Sequence, residues 1–256
     1  MKPPAQAILL AAGRGERMRP LTDVTPKPLL VVQGKPLMQW AMESMARGGV
    51  DHVLINTAWL EEQIPAQFGE RLCVSAAEKG EREMSISYSH EGRDFGDALE
   101  TAGGIVRALP QLADVFWVAA GDVFAPEFDF SRQAVDRFRA SGRLAHIWLV
   151  PNPPQNPRGD FGLAADGTAL SAAPEGEPSY TYSTIGLYRA EFFAMPECNI
   201  APGNPNGVRL GLAPLLRAAM KDAKVSAELY QRSWADVGTP QRLAALNEPE
   251  GRSAPH

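Results

Sequence analysis

The residues with the greatest capacity for chemistry lie near the N-terminus. A short apolar run, Ala7-Ile8-Leu9-Leu10-Ala11, leads into Ala12-Gly13-Arg14-Gly15-Glu16-Arg17, and Lys27 follows. Side chains this small let a backbone approach a ligand closely, and successive N–H groups can form a nest for an anion. Arg14, Arg17 and Lys27 add positive charge around that nest. The combination suits a triphosphate. Two familiar phosphate motifs are excluded. A dinucleotide fingerprint needs a third glycine where Met18 stands, and a P-loop needs Gly-Lys-Ser/Thr where the chain reads Gly34-Lys35-Pro36.

Carboxylates stand at two further positions of interest. Asp122 follows the apolar run Val115 to Ala119 and a small residue, Gly121. In an open α/β sheet, ligands bind at the carboxyl ends of strands, within reach of such a side chain. Asp236 sits in Trp234-Ala235-Asp236-Val237-Gly238-Thr239-Pro240. Taken alone, either aspartate is equally a turn or cap residue. Asp160, in Arg158-Gly159-Asp160-Phe161 after a proline-rich turn, could accept hydrogen bonds from hydroxyl groups.

The whole string GRGERMRPLTDVTPKPL, Gly13 to Leu29, resembles the signature of the sugar-1-phosphate nucleotidyltransferases, usually written GxGxRMxPLTxxxPKPL, at every specified position. The resemblance implies that Gly13 and Gly15 cradle phosphates and that Ala11 and Ala12 offer backbone contacts to the base. It implies that Arg17 binds the β- and γ-phosphates and that Lys27 balances charge at the reacting phosphorus. Asp122 and Asp236 would hold Mg²⁺. Leu99-Glu100-Thr101-Ala102-Gly103-Gly104-Ile105 is similar to the family's base-facing segment, which implicates Thr101 and Gly103. Asn56 and Glu91 would bind the nucleotide, or in the case of Glu91 support this loop. Asp160, Ser183 and Gly186 would face the sugar.

Local matches at Ile55 to Leu60, Leu99 to Thr101, Arg158 to Phe161 and Leu212 to Arg217 resemble the branch of the family that acts on N-acetylmuramic acid 1-phosphate. The implied substrates are that sugar phosphate and UTP, in bacterial peptidoglycan recycling. Guanylylation of mannose 1-phosphate, thymidylyl or uridylyl transfer to glucose 1-phosphate, and a catalytically silent nucleotide-sugar sensor are the alternatives. Thr184 stands where the branch has a glycine, and 73–83 and 201–207 read as insertions.

The elements that must position these residues follow from hydrophobic patterning. Buried strands are expected at Ala7 to Ala11, His52 to Asn56, Val115 to Ala119 and Ala145 to Val150, with a short one at Ile86 to Tyr88. Helices are expected at Pro36 to Arg47, Trp59 to Phe68, Thr101 to Leu109, Ser131 to Ala140 and Leu212 to Asp222. Ser179 to Tyr188 and Ser233 to Val237 read as strands, and Thr239-Pro240 opens a last helix. Such alternation implies an α/β fold. With the resemblance, it implies a Rossmann-like, GT-A-like nucleotidyltransferase fold: a mostly parallel mixed sheet with helices on both faces. One domain is expected over residues 1–248, with nucleotide binding in 1–122 and sugar binding in 123–248. Residues 249–256 read as a flexible tail.

Composition sets outer limits. The chain has 256 residues and a formal net charge of -5, with no Lys/Arg block, so nucleic acid is not an expected partner. No apolar stretch approaches the ~20 residues of a membrane span. Cys73 and Cys198 form no disulfide or metal framework. A cytoplasmic monomer or small homo-oligomer is expected. The four histidines are given no catalytic role.

Overall fold

The computed structural model describes residues 4–76 and 80–248. The first half runs β1 (Ala5–Leu10), β2 (Val31–Val32), β3 (Lys35–Pro36), α1 (Leu37–Gly48), β4 (His52–Thr57), α2 (Gln63–Phe68), β5 (Arg71–Ala76), β6 (Gly80–His90), α3 (Glu91–Phe95) and α4 (Glu100–Ala108). Next come β7 (Leu112–Ala120), β8 (Val123–Phe124), α5 (Arg132–Ala140), β9 (Ala145–Val150), β10 (Phe161–Leu163), β11 (Ala169–Leu170) and β12 (Ser179–Arg189). The chain closes with α6 (Leu212–Lys221), β13 (Val225–Leu229), β14 (Ala235–Asp236) and α7 (Pro240–Asn247).

Ten strands form one sheet in the order β11-β10-β12-β7-β1-β4-β6-β5, and β9 joins β12 to β13. The centre, β7-β1-β4-β6, is parallel. Strand β12 runs antiparallel to β7, β9 and β10, and β5 runs antiparallel to β6. Helices cover both faces, which is why the central strands read as unbroken apolar runs. Along β1, Ala7 and Leu9 enter one core and Ile8 the other, following the two-residue period of a strand. The Ile8 core is closed by α4 and α6, and the Leu9 core by α1 and α5. In the latter, Trp117 packs edge-on against Phe128 and Phe130 and beside Trp148.

Chain chemistry sets the helix ends. Gly49, at φ 103°, ends α1 with its N–H on the Ala46 carbonyl, and Val50 reaches back to Met45. Ser131 and Thr239 cap α5 and α7 by accepting from the amides of Ala134 and Arg242.

A third, smaller core matters most for function. Met18, Leu30, Val32, Leu37, Phe124 and Val237 pack together, with Leu243 and Leu246 of α7 against them. The Asn247 side chain on α7 donates to the Val31 carbonyl at 2.9 Å and accepts from the Gln33 amide at 2.7 Å. The N-terminal loop region, the β8–β14 ladder and the last helix are thereby one packed unit.

Two local expectations need correction. The Trp59 to Phe68 helix begins only at Gln63, because Leu60 adopts φ 47° and the Trp59 indole is drawn away to the Thr22 carbonyl at 2.8 Å. The strand around Ile86 extends from Gly80 to His90, since the apparent insertion at 73–83 is the arm of a β5–β6 hairpin. Residues 77–79 of that insertion and the expected tail at 249–256 lie outside the described residues. Among the described residues, no helix is long and apolar enough to cross a membrane.

Candidate active site

A cleft of about 1240 Å³ opens at the carboxyl ends of β1, β4 and β7, where Leu10, Asn56 and Ala120 line it. This is the edge at which an open α/β sheet binds its ligands. Its floor is set by a buried polar chain. The Ala11 amide donates to Asn56 Oδ1 at 2.9 Å, and Asn56 Nδ2 donates to Glu91 Oε1 at 2.7 Å. Glu91 Oε2 accepts from the Leu99 amide at 2.7 Å. Glu91 is fully buried, and desolvation raises its pKa although the Leu99 and Asn56 hydrogen bonds oppose the shift. It ties β4, the glycine loop and the entry to α4 together from behind, rather than facing the cleft.

The loop itself is held tightly. Gly15 has φ 67°, and a Cβ there would lie 3.0 Å from Lys27 Cβ and 3.1 Å from Thr22 Cγ2. Thr22 Oγ1 donates to the Gly15 carbonyl at 2.9 Å. Met18, the residue that breaks the dinucleotide pattern, is fully buried in the third core and pins the loop's far end. Ala11, Ala12, Gly13, Gly15 and Arg17 all line the cleft. Arg14 lies 4.1 Å over the Trp59 ring, a cation–π contact that aims it along the same wall.

Lys27 is buried, and its Nζ donates to Asp122 Oδ2 at 2.5 Å. A buried ammonium requires such a partner. Asp122 is delivered by the Gly121 turn, whose amide donates to the Leu10 carbonyl at 2.8 Å. Asp236 is opposite Val123 in the β8–β14 ladder, and the Val237 amide donates to the Asp122 carbonyl at 3.1 Å. The two aspartates, over a hundred residues apart in sequence, therefore stand on neighbouring strand ends. The Asp236 carboxylate is met by Arg242 Nη1 at 2.6 Å. Among the described residues, no group of three or more His, Cys, Asp or Glu gathers that could hold a metal ion. Asp122 lines the cleft beside the phosphate loop, whereas Asp236 is not among the lining residues. As two hard oxygen donors on neighbouring strand ends, they are of the type that suits a divalent cation taking its other ligands from water and phosphate.

On the opposite wall, Asp160 lines the cleft, held by Asn156 Nδ2 at 3.1 Å and by the Tyr182 amide at 2.8 Å. Strand β12 bulges between Tyr182 and Gly186, and Thr184 in the bulge turns into the cleft at φ 64°. Such bulges re-aim side chains at the edges of sites. A β-branched residue in this region is strained, which accounts for a glycine being expected there.

Besides Glu91 and Asp236, three expected contacts are not among the residues lining the cleft. Ser183 is fully buried, donating to the Trp148 carbonyl at 2.7 Å. Gly186 packs into the sheet, where a Cβ would meet Tyr188 at 2.8 Å. Gly103 lies beneath the 201–210 segment, its amide on the Leu210 carbonyl and its carbonyl on Asn204. Thr101 does line the cleft. Sequence reasoning passed over Trp59, Arg209 and Arg217, all of which line it too. Arg217 lies at the end of a segment that carried the family resemblance, and that was its only signal.

Comparison with known proteins bears on the family and the fold. The family described as "Nucleotidyl transferase" matches residues 6–251. The N-acetylmuramate alpha-1-phosphate uridylyltransferase of Neisseria meningitidis serogroup B is 42% identical over 246 residues, covering 93% of this chain and 95% of its own. The protein of the same name from Caulobacter vibrioides is 30% identical over 257 residues, covering 94% and 96%. A solved structure from Bacillus anthracis, described as a candidate glucose-1-phosphate thymidylyltransferase in complex with sucrose, superposes with a TM-score of 0.73 at 21% identity. It covers 94% of this chain and 93% of that one, and the likeness is one of fold.

Proposed function

This chain belongs to the nucleotidyl transferase family, and on that premise we propose that it joins UTP to N-acetylmuramic acid 1-phosphate, giving UDP-N-acetylmuramic acid and pyrophosphate. The observation that carries the reading is the Lys27–Asp122 pair beside the glycine loop, in one cleft at the carboxyl edge of the sheet. Two full-length relatives bearing the name of that activity support the choice of substrates. The reaction belongs to peptidoglycan recycling, and its use of UTP puts it in the cytoplasm.

The chemistry is an in-line displacement. An oxygen of the sugar 1-phosphate attacks the α-phosphorus, a new P–O bond forms, and the bond to the β-phosphate oxygen breaks with its electron pair leaving on pyrophosphate. The nucleophile is already anionic, so no general base is required, and the four histidines are idle. The barrier is the approach of two polyanions. Backbone amides of Gly13 and Gly15 receive the triphosphate, Arg17 meets the departing β- and γ-phosphates, and Lys27 balances charge at the reacting phosphorus. Asp122 and Asp236 would hold Mg²⁺, which supplies Lewis-acid charge neutralisation when bound. Asn56 fixes the Ala11 amide and Thr101 faces the base, while Asp160 receives sugar hydroxyls. In this reading residues 1–122 serve the nucleotide and 123–248 the sugar, across one continuous sheet.

The test is pyrophosphate release with Mg²⁺ over a grid of nucleoside triphosphates and sugar 1-phosphates. Release with UTP and N-acetylmuramic acid 1-phosphate above all other pairs is the expected result. Release confined to GTP with mannose 1-phosphate, or to glucose 1-phosphate, overturns the substrate assignment and keeps the chemistry.

A further inference from the structure

Three arginines in the cleft have no carboxylate within ion-pair distance among the described residues: Arg14, Arg17 and Arg217. Arg14 and Arg17 belong to the glycine loop, where a triphosphate accounts for them. Arg217 does not. It projects from α6 on the Asp160 wall, with its guanidinium 4.9 Å over the Phe161 ring. One amino group donates to the Asp160 carbonyl at 3.1 Å and another to the Ser171 carbonyl. These neutral acceptors orient the guanidinium without neutralising it. A guanidinium carries five N–H donors in a fixed plane, so donors remain for an anion. The ring beneath it favours a flat, pre-set orientation.

We propose that Arg217 recognises an acidic substituent on the sugar, the carboxylate that distinguishes a muramate from a neutral hexosamine. The inference rests on the substrate reading above and names the residue that would enforce it. The Asp160 backbone on which Arg217 leans is the same segment that offers a carboxylate to sugar hydroxyls, so cation and hydroxyl acceptor face the sugar side by side. A planar fork matches a carboxylate in a bidentate manner that an ammonium cannot reproduce.

The experiment compares N-acetylmuramic acid 1-phosphate with N-acetylglucosamine 1-phosphate, each with UTP and Mg²⁺, in the wild type, Arg217→Gln and Arg217→Lys. The neutral sugar phosphate is also measured as a competitor of the acidic one, so that slow turnover still yields an inhibition constant. Arg217→Gln should lower kcat/KM for the acidic substrate by about 10- to 100-fold, the worth of a charge-assisted hydrogen bond, and leave the neutral sugar within about twofold. Arg217→Lys should fall between, retaining charge and losing the fork. The preference ratio therefore collapses in one variant and shrinks in the other. An equal fall with both sugars overturns the proposal, because Arg217 would then serve the phosphate or hold the wall. No fall with the acidic sugar overturns it as well. Wild-type turnover confined to other sugar phosphates overturns the substrate reading and this proposal with it, a result visible before any variant is made.

Discussion

Replacing Glu91 by glutamine tests the buried polar chain behind the cleft. Glu91 accepts two hydrogen bonds, from Asn56 Nδ2 and from the Leu99 amide, each at 2.7 Å. Glutamine can accept one of them, but its amino group must then face the other donor. A hydrogen bond to a buried charged acceptor is worth about 1.5–3 kcal/mol. Desolvation outweighs those bonds and raises the Glu91 pKa, so the loss is set instead by the buried donor left facing an amino group, about 1–3 kcal/mol. At roughly 2–4 °C per kcal/mol for a chain of this size, the melting temperature falls measurably. The pH dependence adds a second signature. A carboxyl whose folded pKa lies above its unfolded value gives stability that is fully present below the unfolded pKa and declines as pH rises through the folded one. The wild type should therefore lose stability from the ordinary glutamate range up to the raised value, and Glu91→Gln should lack that slope. Its deficit is accordingly largest at acid pH. Thermal melts across a pH series read both effects. A variant as stable as the wild type, with the same pH slope, would refute the reasoning.

Other expectations concern the site and its supports. Lys27→Met removes the cation beside Asp122 and should lower kcat by about 100- to 1000-fold, with little change in far-UV circular dichroism. Asp122→Ala and Asp236→Ala should each abolish turnover, and chelation of divalent ions in the wild type should do so reversibly on return of Mg²⁺; turnover that survives in both variants would remove the metal assignment. Asn204 is fully buried and bonds the Gly103 carbonyl and both backbone groups of Val208; Asn204→Ala should cost about 2–4 kcal/mol in denaturant unfolding and speed proteolysis at 201–210. Thr184→Gly relieves left-handed strain of about 1–2 kcal/mol and returns about 0.5–1 kcal/mol to the freedom of the unfolded chain. It should raise the melting temperature slightly, and a fall would show that Thr184 bears no net strain.

Much of this architecture is legible in the sequence, because the central strands are buried on both faces and read as short apolar runs. Ala145–Val150 is a strand over the limits its composition indicates, and α1 stops at its glycines for a local reason. The glycine loop is legible through residue type and spacing. What escapes is what depends on distant partners. The length of β6 is set by its pairing with β5, and Leu60 breaks a helix through a backbone angle that no propensity forecasts. Asp122 and Asp236 are each legible as acids, but their adjacency exists only through the β8–β14 ladder. Glu91 reads as a polar residue near the site, and only its burial reveals that it works from behind. Ser183 and Gly186 are expected at the surface of the cleft, whereas the β12 bulge presents Thr184 there.

The packing of Met18 against Val237, Leu243 and Leu246, together with the Asn247 bonds to Val31 and Gln33, has a consequence for synthesis. A ribosome delivers the glycine loop some two hundred residues before α7. Sequence separations of 214 and 216 residues lie across those two hydrogen bonds. Closing so long a loop is entropically slow and comes late. Until α7 leaves the exit tunnel, the core around Met18 lacks Leu243 and Leu246, and Val31 and Gln33 lack their bonds to Asn247. The nascent chain can therefore pair its central parallel strands before the core beneath the phosphate loop is complete, and that core closes only when α7 docks.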